Sequence, residues 1–124
     1  DKYNKLLNIE ARTMIRMVRR AYLPAITDYM ADLASNITTV KAAISGADMT
    51  EAESVLEVII AGADKAAKAT RELIKVHNAA EAIEAPQEQA NAYANEVIPA
   101  MDALRAEIDA LECGRARLLA RSHL

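Results

Sequence analysis

The sequence contains no tryptophan and no phenylalanine, and its aromatic content of 3% is tyrosine alone. A single-stranded nucleic-acid surface draws on aromatics for base stacking and on a basic domain for the backbone. With so few aromatics and a net charge of −3, no nucleic-acid partner is expected. The one cysteine, Cys113, excludes an internal disulfide and fits a reducing compartment, so a cytoplasmic location is expected. No apolar run approaches the roughly 20 residues needed to span a bilayer, and no signal peptide is visible, so no membrane association is expected. Three glycines and three prolines leave few places to turn.

What is abundant is alanine, 27 of 124 residues. Alanine is the best helix former and lets helix backbones approach closely. Long helices with short turns follow, and a chain of this length carries one core. The charge is unevenly spread: residues 1–45 carry a balance of +3, residues 46–113 one of −9, and the tail after Gly114 adds +3. A basic first helix lying across acidic later ones accounts for this.

The first helix is expected from Lys2 to as far as Ile44. On it Leu7, Ala11, Met14, Val18, Ala21, Ala25, Tyr29 and Leu33 share one face, while Lys5, Arg12, Arg16 and Arg19 share the opposite one. Pro24 lacks an N–H and its ring meets the carbonyl of Arg20, so a kink is expected there rather than a stop, because the apolar stripe keeps its phase through Ile26, Tyr29, Leu33, Ile37, Val40 and Ile44. Gly46 is placed to cap this helix in the left-handed conformation. Thr50 and Glu53 read as a capping box opening a second helix that runs to about Glu84. Its seam alternates Ala52, Ile59, Ala66, Leu73 and Ala80 with Leu56, Ala63, Thr70 and His77. Gly62 there costs up to about 1 kcal/mol against alanine, which fits a close backbone contact. Pro86 opens a third helix running to about Glu112. Its seam alternates Ala90, Val97, Leu104 and Leu111 with Ala94, Met101 and Ile108. The fold expected is all-α, an up-down-up bundle of three long antiparallel helices with the first kinked at Pro24. Residues 1–113 form the domain and 114–124 an atypical tail.

Chemistry is sparse. His77 falls on the apolar seam, so a core-edge histidine is the better reading than a phosphoryl acceptor, although a stand-alone interaction or histidine phosphotransfer module remains the alternative. His77 and Glu81 are one turn apart, but two ligands make no metal site. Glu10, at the border of the apolar face, is expected to pair with an arginine. There is no Gly-rich phosphate loop, no nucleophile–base arrangement and no arguable pair of catalytic carboxylates. No catalytic, cofactor or metal residues are therefore assigned. The residues suited to an interface are Lys5, Arg12, Arg16 and Arg19 with Met14, Val18 and Tyr29. Three seams of this length also leave apolar surface, and a dimer burying Met14, Val18, Ala25 and Tyr29 is expected.

Two segments carry a resemblance. Asn8-Ile9-Glu10-Ala11-Arg12-Thr13-Met14-Ile15 with Tyr22-Leu23-Pro24-Ala25-Ile26, and Val97-Ile98-Pro99-Ala100-Met101 continuing through Asp102-Ala103-Leu104-Arg105, resemble the C-terminal helical region of type III glutamine synthetases. The similarity spans roughly residues 3–112. It implies a fragment of an ATP- and magnesium-dependent ligase joining ammonia to glutamate in a large ring-based oligomer. Nucleotide, metal and glutamate would then be held by the preceding catalytic domain, so that the fragment needs no cofactor and binds neither ATP nor glutamate. Its partners would be that catalytic domain and neighbouring subunits. The stretch from Cys113 to Arg121 departs from the family's ending.

Overall fold

A computed structural model describes residues 2–122, with side chains for residues 2–116. No strand occurs among the described residues; three helical rods account for nearly all of them. The first rod joins α1 (Lys2–Met17), a π-helical turn (Val18–Tyr22) and α2 (Leu23–Ala43). The second is α3 (Thr50–Glu81). The third joins α4 (Pro86–Ala92), a second π-helical turn (Tyr93–Val97) and α5 (Ile98–Ser122). It thus continues ten residues past the expected end at Glu112.

Contacts across the rods fix their directions. Arg12 of α1 pairs with Glu81 near the end of α3, whereas Lys41 of α2 pairs with Glu53 near its start. The first and second rods therefore run antiparallel. His77 meets Tyr93 edge to face, with ring centroids 6.4 Å apart, and Gly62 meets Leu111, so the second and third rods are antiparallel too.

The core lies where the three apolar faces meet. Leu7, Ala11, Met14 and Val18 of the first rod pack with Leu73 and Ala80 of α3 and with Tyr93, Val97, Met101 and Leu104 of the third. A second cluster joins Ile26, Ile59, Ala66 and Leu111. The α3 seam is the expected one: Ile59, Ala66, Thr70, Leu73, His77 and Ala80 are all buried. Thr70 satisfies its hydroxyl by donating to the Ala66 carbonyl at 2.7 Å. At Gly62 an added Cβ would lie 2.6 Å from Leu111 Cδ2, so the close contact is with a side chain of the third rod rather than with the backbone expected.

The prolines act differently from expectation. The helix runs through Pro24 with no clear kink, and Leu23 keeps ordinary helical angles of φ −63° and ψ −42°. The adjustment sits one turn earlier. Leu23 N–H bonds five residues back to the Val18 carbonyl, and Ile98 N–H does the same to Tyr93, just before Pro99. Widening the turn draws the carbonyl four residues back away from the proline ring, so the clash that would kink the rod is relieved locally. The extra residue also shifts the apolar phase locally. Ala21, Ala25 and Ala94, expected on the seams, are exposed and Tyr93 is buried instead, whereas Ile26 and Ile37 are buried as the stripe of the first helix predicts.

The helix ends also depart from expectation. The first rod stops at Ala43, where Ile44 turns extended at φ −134° and ψ 100°, and no glycine has a positive φ. Gly46 is therefore not a left-handed cap. The expected capping box is absent as well: Thr50 is already helical, and the Glu53 carboxylate is taken by Lys41. Asp48 serves in its place, its Oδ1 accepting the Thr50 N–H at 3.0 Å. Hydrogen bonding from the Thr50 side chain and then its backbone holds the Asp48 carboxyl below the usual carboxylate range. At the other end of α3, Gln89 Nε2 donates to the carbonyls of Ala80, Glu81 and Ile83 at 3.2, 3.4 and 3.1 Å. A single amide thus adds a donor to the carbonyls at the end of the helix, of which Ala80's also accepts the Ile83 N–H at 3.2 Å. Ala85 is extended, as a residue before proline must be, and Pro86 opens α4.

Candidate functional site

The α1 periodicity that sends Leu7, Ala11, Met14 and Val18 inward puts Lys5, Arg12, Arg16 and Arg19 outward, and all four basic side chains are exposed. The structure separates them from the apolar residues proposed beside them. Val18 is fully buried and Met14 is 9% exposed, both inside the chain's own core, and Tyr29 is half-buried. An interface through Met14 and Val18 would have to open the bundle. The expected dimer seam is corrected accordingly, because the third rod already covers that face. The large hydrophobic residues that α1 does expose are Tyr3, Leu6, Ile9 and Met17, each more than half accessible. Glu10 is exposed, and no ion pair engages it among the described residues.

Arg12, Arg16 and Arg19 do converge, together with Arg20, which lies four residues after Arg16 and so on the same face. With Ile15 from the first rod and Ile74, His77, Asn78 and Glu81 from α3, they line a groove of about 330 Å³ between the two rods. Arg12 Nη2 donates to Glu81 Oε2 at 2.7 Å. Glu81 is the one carboxylate in the lining.

His77 closes the groove on its inner side. It is 4% exposed, and its Nε2 lies 2.6 Å from Asn8 Oδ1 and 3.6 Å from Glu81 Oε2. Burial pushes its imidazole below the ordinary histidine range, against the opposing pull of Glu81. It is a neutral core histidine tied to α1. A smaller polar pocket of about 200 Å³ continues past Glu81, lined by Asn4, Lys5, Asn8, Gln89 and Tyr93. There Asn4 Nδ2 donates to Gln89 Oε1 at 3.3 Å, while its buried Oδ1 finds no protein partner.

Among the described residues no three His, Cys, Asp or Glu side chains are grouped to hold a metal ion. Cys113 is exposed and free. No helix among the described residues is long and apolar enough to cross a membrane. Sequence reasoning missed Asn8, Gln89 and Tyr93. The first two are ordinary polar residues whose contacts lie 69 or more positions away or across a turn, and Tyr93 was hidden by the phase shift. Arg20 was legible from its spacing.

A family model described as the glutamine synthetase C-terminal domain matches residues 1–41, about a third of the chain. Comparisons with curated proteins and with solved structures gave no match.

Proposed function

We propose that the chain is the C-terminal helical domain of a type III glutamine synthetase, non-catalytic in itself, which supports assembly of the enzyme or positions its catalytic domain. The observation that carries this reading is the family match over residues 1–41. That stretch contains both Asn8–Ile15 and Tyr22–Ile26, the segments that carry the resemblance in the first rod. The type III assignment rests on the same resemblance, extended by Val97–Arg105 in the third. The rods form an up-down-up bundle that docks on the catalytic domain of its own chain or on a neighbouring subunit in the cytoplasm. The exposed basic residues Lys5, Arg12, Arg16 and Arg19 are the contact surface. ATP and magnesium belong to the catalytic domain of the parent, a glutamate–ammonia ligase. A burial of 96% for His77, with Nε2 engaged by Asn8, speaks against the phosphotransfer reading, since a phosphoryl acceptor has to present a free ring nitrogen.

The reading is tested by the parent reading frame upstream of Asp1, where a glutamine synthetase catalytic domain is expected. An unrelated domain there would end it. Co-expression of the chain with that catalytic domain should then yield a stable complex, weakened when Arg12, Arg16 and Arg19 are changed to glutamate.

A further inference from the structure

Three guanidinium groups in the groove have no counter-charge. Arg12 is paired with Glu81, but among the described residues no hydrogen bond or ion pair engages Arg16, Arg19 or Arg20. Their positions follow i, i+3 and i+4 on one helix face, where like charges repel. An unbalanced cationic row of this kind is stabilised by an anion that bridges it. We infer that the groove is a binding site for a small oxyanion carrying several charges, of the polyphosphate class. Guanidinium forks match phosphoryl oxygens two at a time, and a row of them spans successive phosphoryl groups of one ligand. The volume of about 330 Å³ lies at the lower end of small-molecule sites. Ile15 and Ile74 give the groove an apolar wall, which strengthens ion pairing there relative to open water. On the α3 side, Asn78 offers a neutral amide for the remaining oxygens. The sequence has no Gly-rich loop, which removes one way of holding phosphate; a guanidinium row is another. The inference rests on the groove's geometry. Arg12, Arg16 and Arg19 also belong to the docking surface proposed above, so a bound polyphosphate and the catalytic domain would compete for them. The expectation that the fragment binds no ATP does not extend to this groove.

Inorganic tripolyphosphate titrated calorimetrically into the 124-residue chain at low salt provides the test. Saturable one-to-one binding is expected, weakening as sodium chloride is raised. The double variant Arg16→Gln/Arg19→Gln, with its helical circular dichroism and melting unchanged, should bind at least tenfold more weakly. Glu81→Gln, which releases Arg12 from its pair, should bind several-fold more tightly, an effect of opposite sign that damage to the fold would not produce. Lys65→Gln on the far face of α3 should bind as the parent does. Absence of saturable binding at millimolar tripolyphosphate would overturn the inference. So would undiminished affinity in the double variant, a loss of equal size in Lys65→Gln, or no gain in Glu81→Gln. Tighter binding of hexaglutamate than of tripolyphosphate would overturn it in favour of an acidic protein segment.

Discussion

His77 on α3 holds its Nε2 2.6 Å from Oδ1 of Asn8 on α1, with only 4% of the histidine exposed. In the tautomer protonated at Nε2, the ring donates to the amide oxygen and stays neutral. Its pKa in the fold is lowered by burial, so the unfolded chain takes up a proton at a higher pH than the folded one. Stability is therefore complete above the ordinary histidine range near pH 6.5 and is lost as pH falls through it. The urea midpoint should drop between about pH 7.5 and pH 5.5, and His77→Gln should flatten that slope. A midpoint that does not move in the parent chain over this interval would remove the argument.

Gly62 and Leu111 should be energetically coupled. Alanine in place of a helical glycine ordinarily gains up to about 1 kcal/mol. Here the new methyl group would sit 2.6 Å from Leu111 Cδ2 and 3.0 Å from its Cγ, in a core that also holds Ile59 and Ala66. Gly62→Ala should fail to stabilise the parent, yet be more favourable by about 1 kcal/mol in a Leu111→Ala background. Chemical denaturation of the four proteins gives the cycle, and strict additivity would contradict the contact.

Gln89→Ala should cost about 1–3 kcal/mol, because it removes the side-chain donor to the Glu81 and Ile83 carbonyls at the end of α3 and leaves Asn4 Nδ2 only the Pro86 carbonyl at 3.4 Å. Gln87, two residues earlier, bonds only the exposed Asn91. Its change to alanine should stay within about 0.5 kcal/mol. Equal effects of the two substitutions in thermal melts would show that Gln89 caps nothing that matters.

Deletion of Ala21 tests the π-helical turn. That turn holds one residue more than an α-turn needs, so removing one there keeps the faces before and after it in register. Combined with Pro24→Ala, which removes the ring clash, the deletion should leave a cooperatively folded chain. Deleting Ala67 from α3 should not, because everything after it rotates by about 100° against its partners. Circular dichroism melts that rank the two deletions the other way would refute this account.

Self-association has to use surface that is still exposed. Leu6, Ile9 and Met17 are 57%, 59% and 58% accessible. Sedimentation at micromolar concentration is expected to give a mass above 13.5 kDa, reduced by Leu6→Asp/Met17→Asp. A clean monomer in the parent chain would show that the three rods need no further cover.

The helical class and the α3 seam were readable because both rest on periodicity, and α3 runs unbroken from Thr50 to Glu81. So was the outward basic face of α1, since Arg12 and Arg16 precede any irregularity and Arg19 lies only one residue into the first π turn. Legibility falters only locally at the π turns, since Ile26 and Ile37 after the first and Met101, Leu104 and Leu111 after the second are buried as expected. A 3.6-residue count carried from Val18 onward points to Ala21 and Ala25, which the structure leaves exposed, as well as to Ile26, which it buries; in the third rod it points to Ala94 beside the buried Tyr93. The inserted residue displaces the pattern by one position within the turn, and the stripe regains its face about a turn later. The caps failed for a different reason. Thr50 and Asp48 are both good N-terminal residues, and which of them supplies the oxygen depends on backbone angles that the letters do not encode.

The two ends of the bundle are secured unequally. At one end Asn4, Gln89, Arg12, Glu81, His77 and Asn8 tie all three rods together through side chains. At the other, the first rod meets the start of α3 through the exposed Lys41–Glu53 pair, beside a turn that leaves Ile44 65% accessible. An exposed ion pair contributes little. Brief openings that leave the rest of the fold intact will therefore begin where α2 meets α3, like a book hinged at its far edge. Backbone amides around residues 40–55 will exchange with solvent long before those of the Leu73–Val97 core.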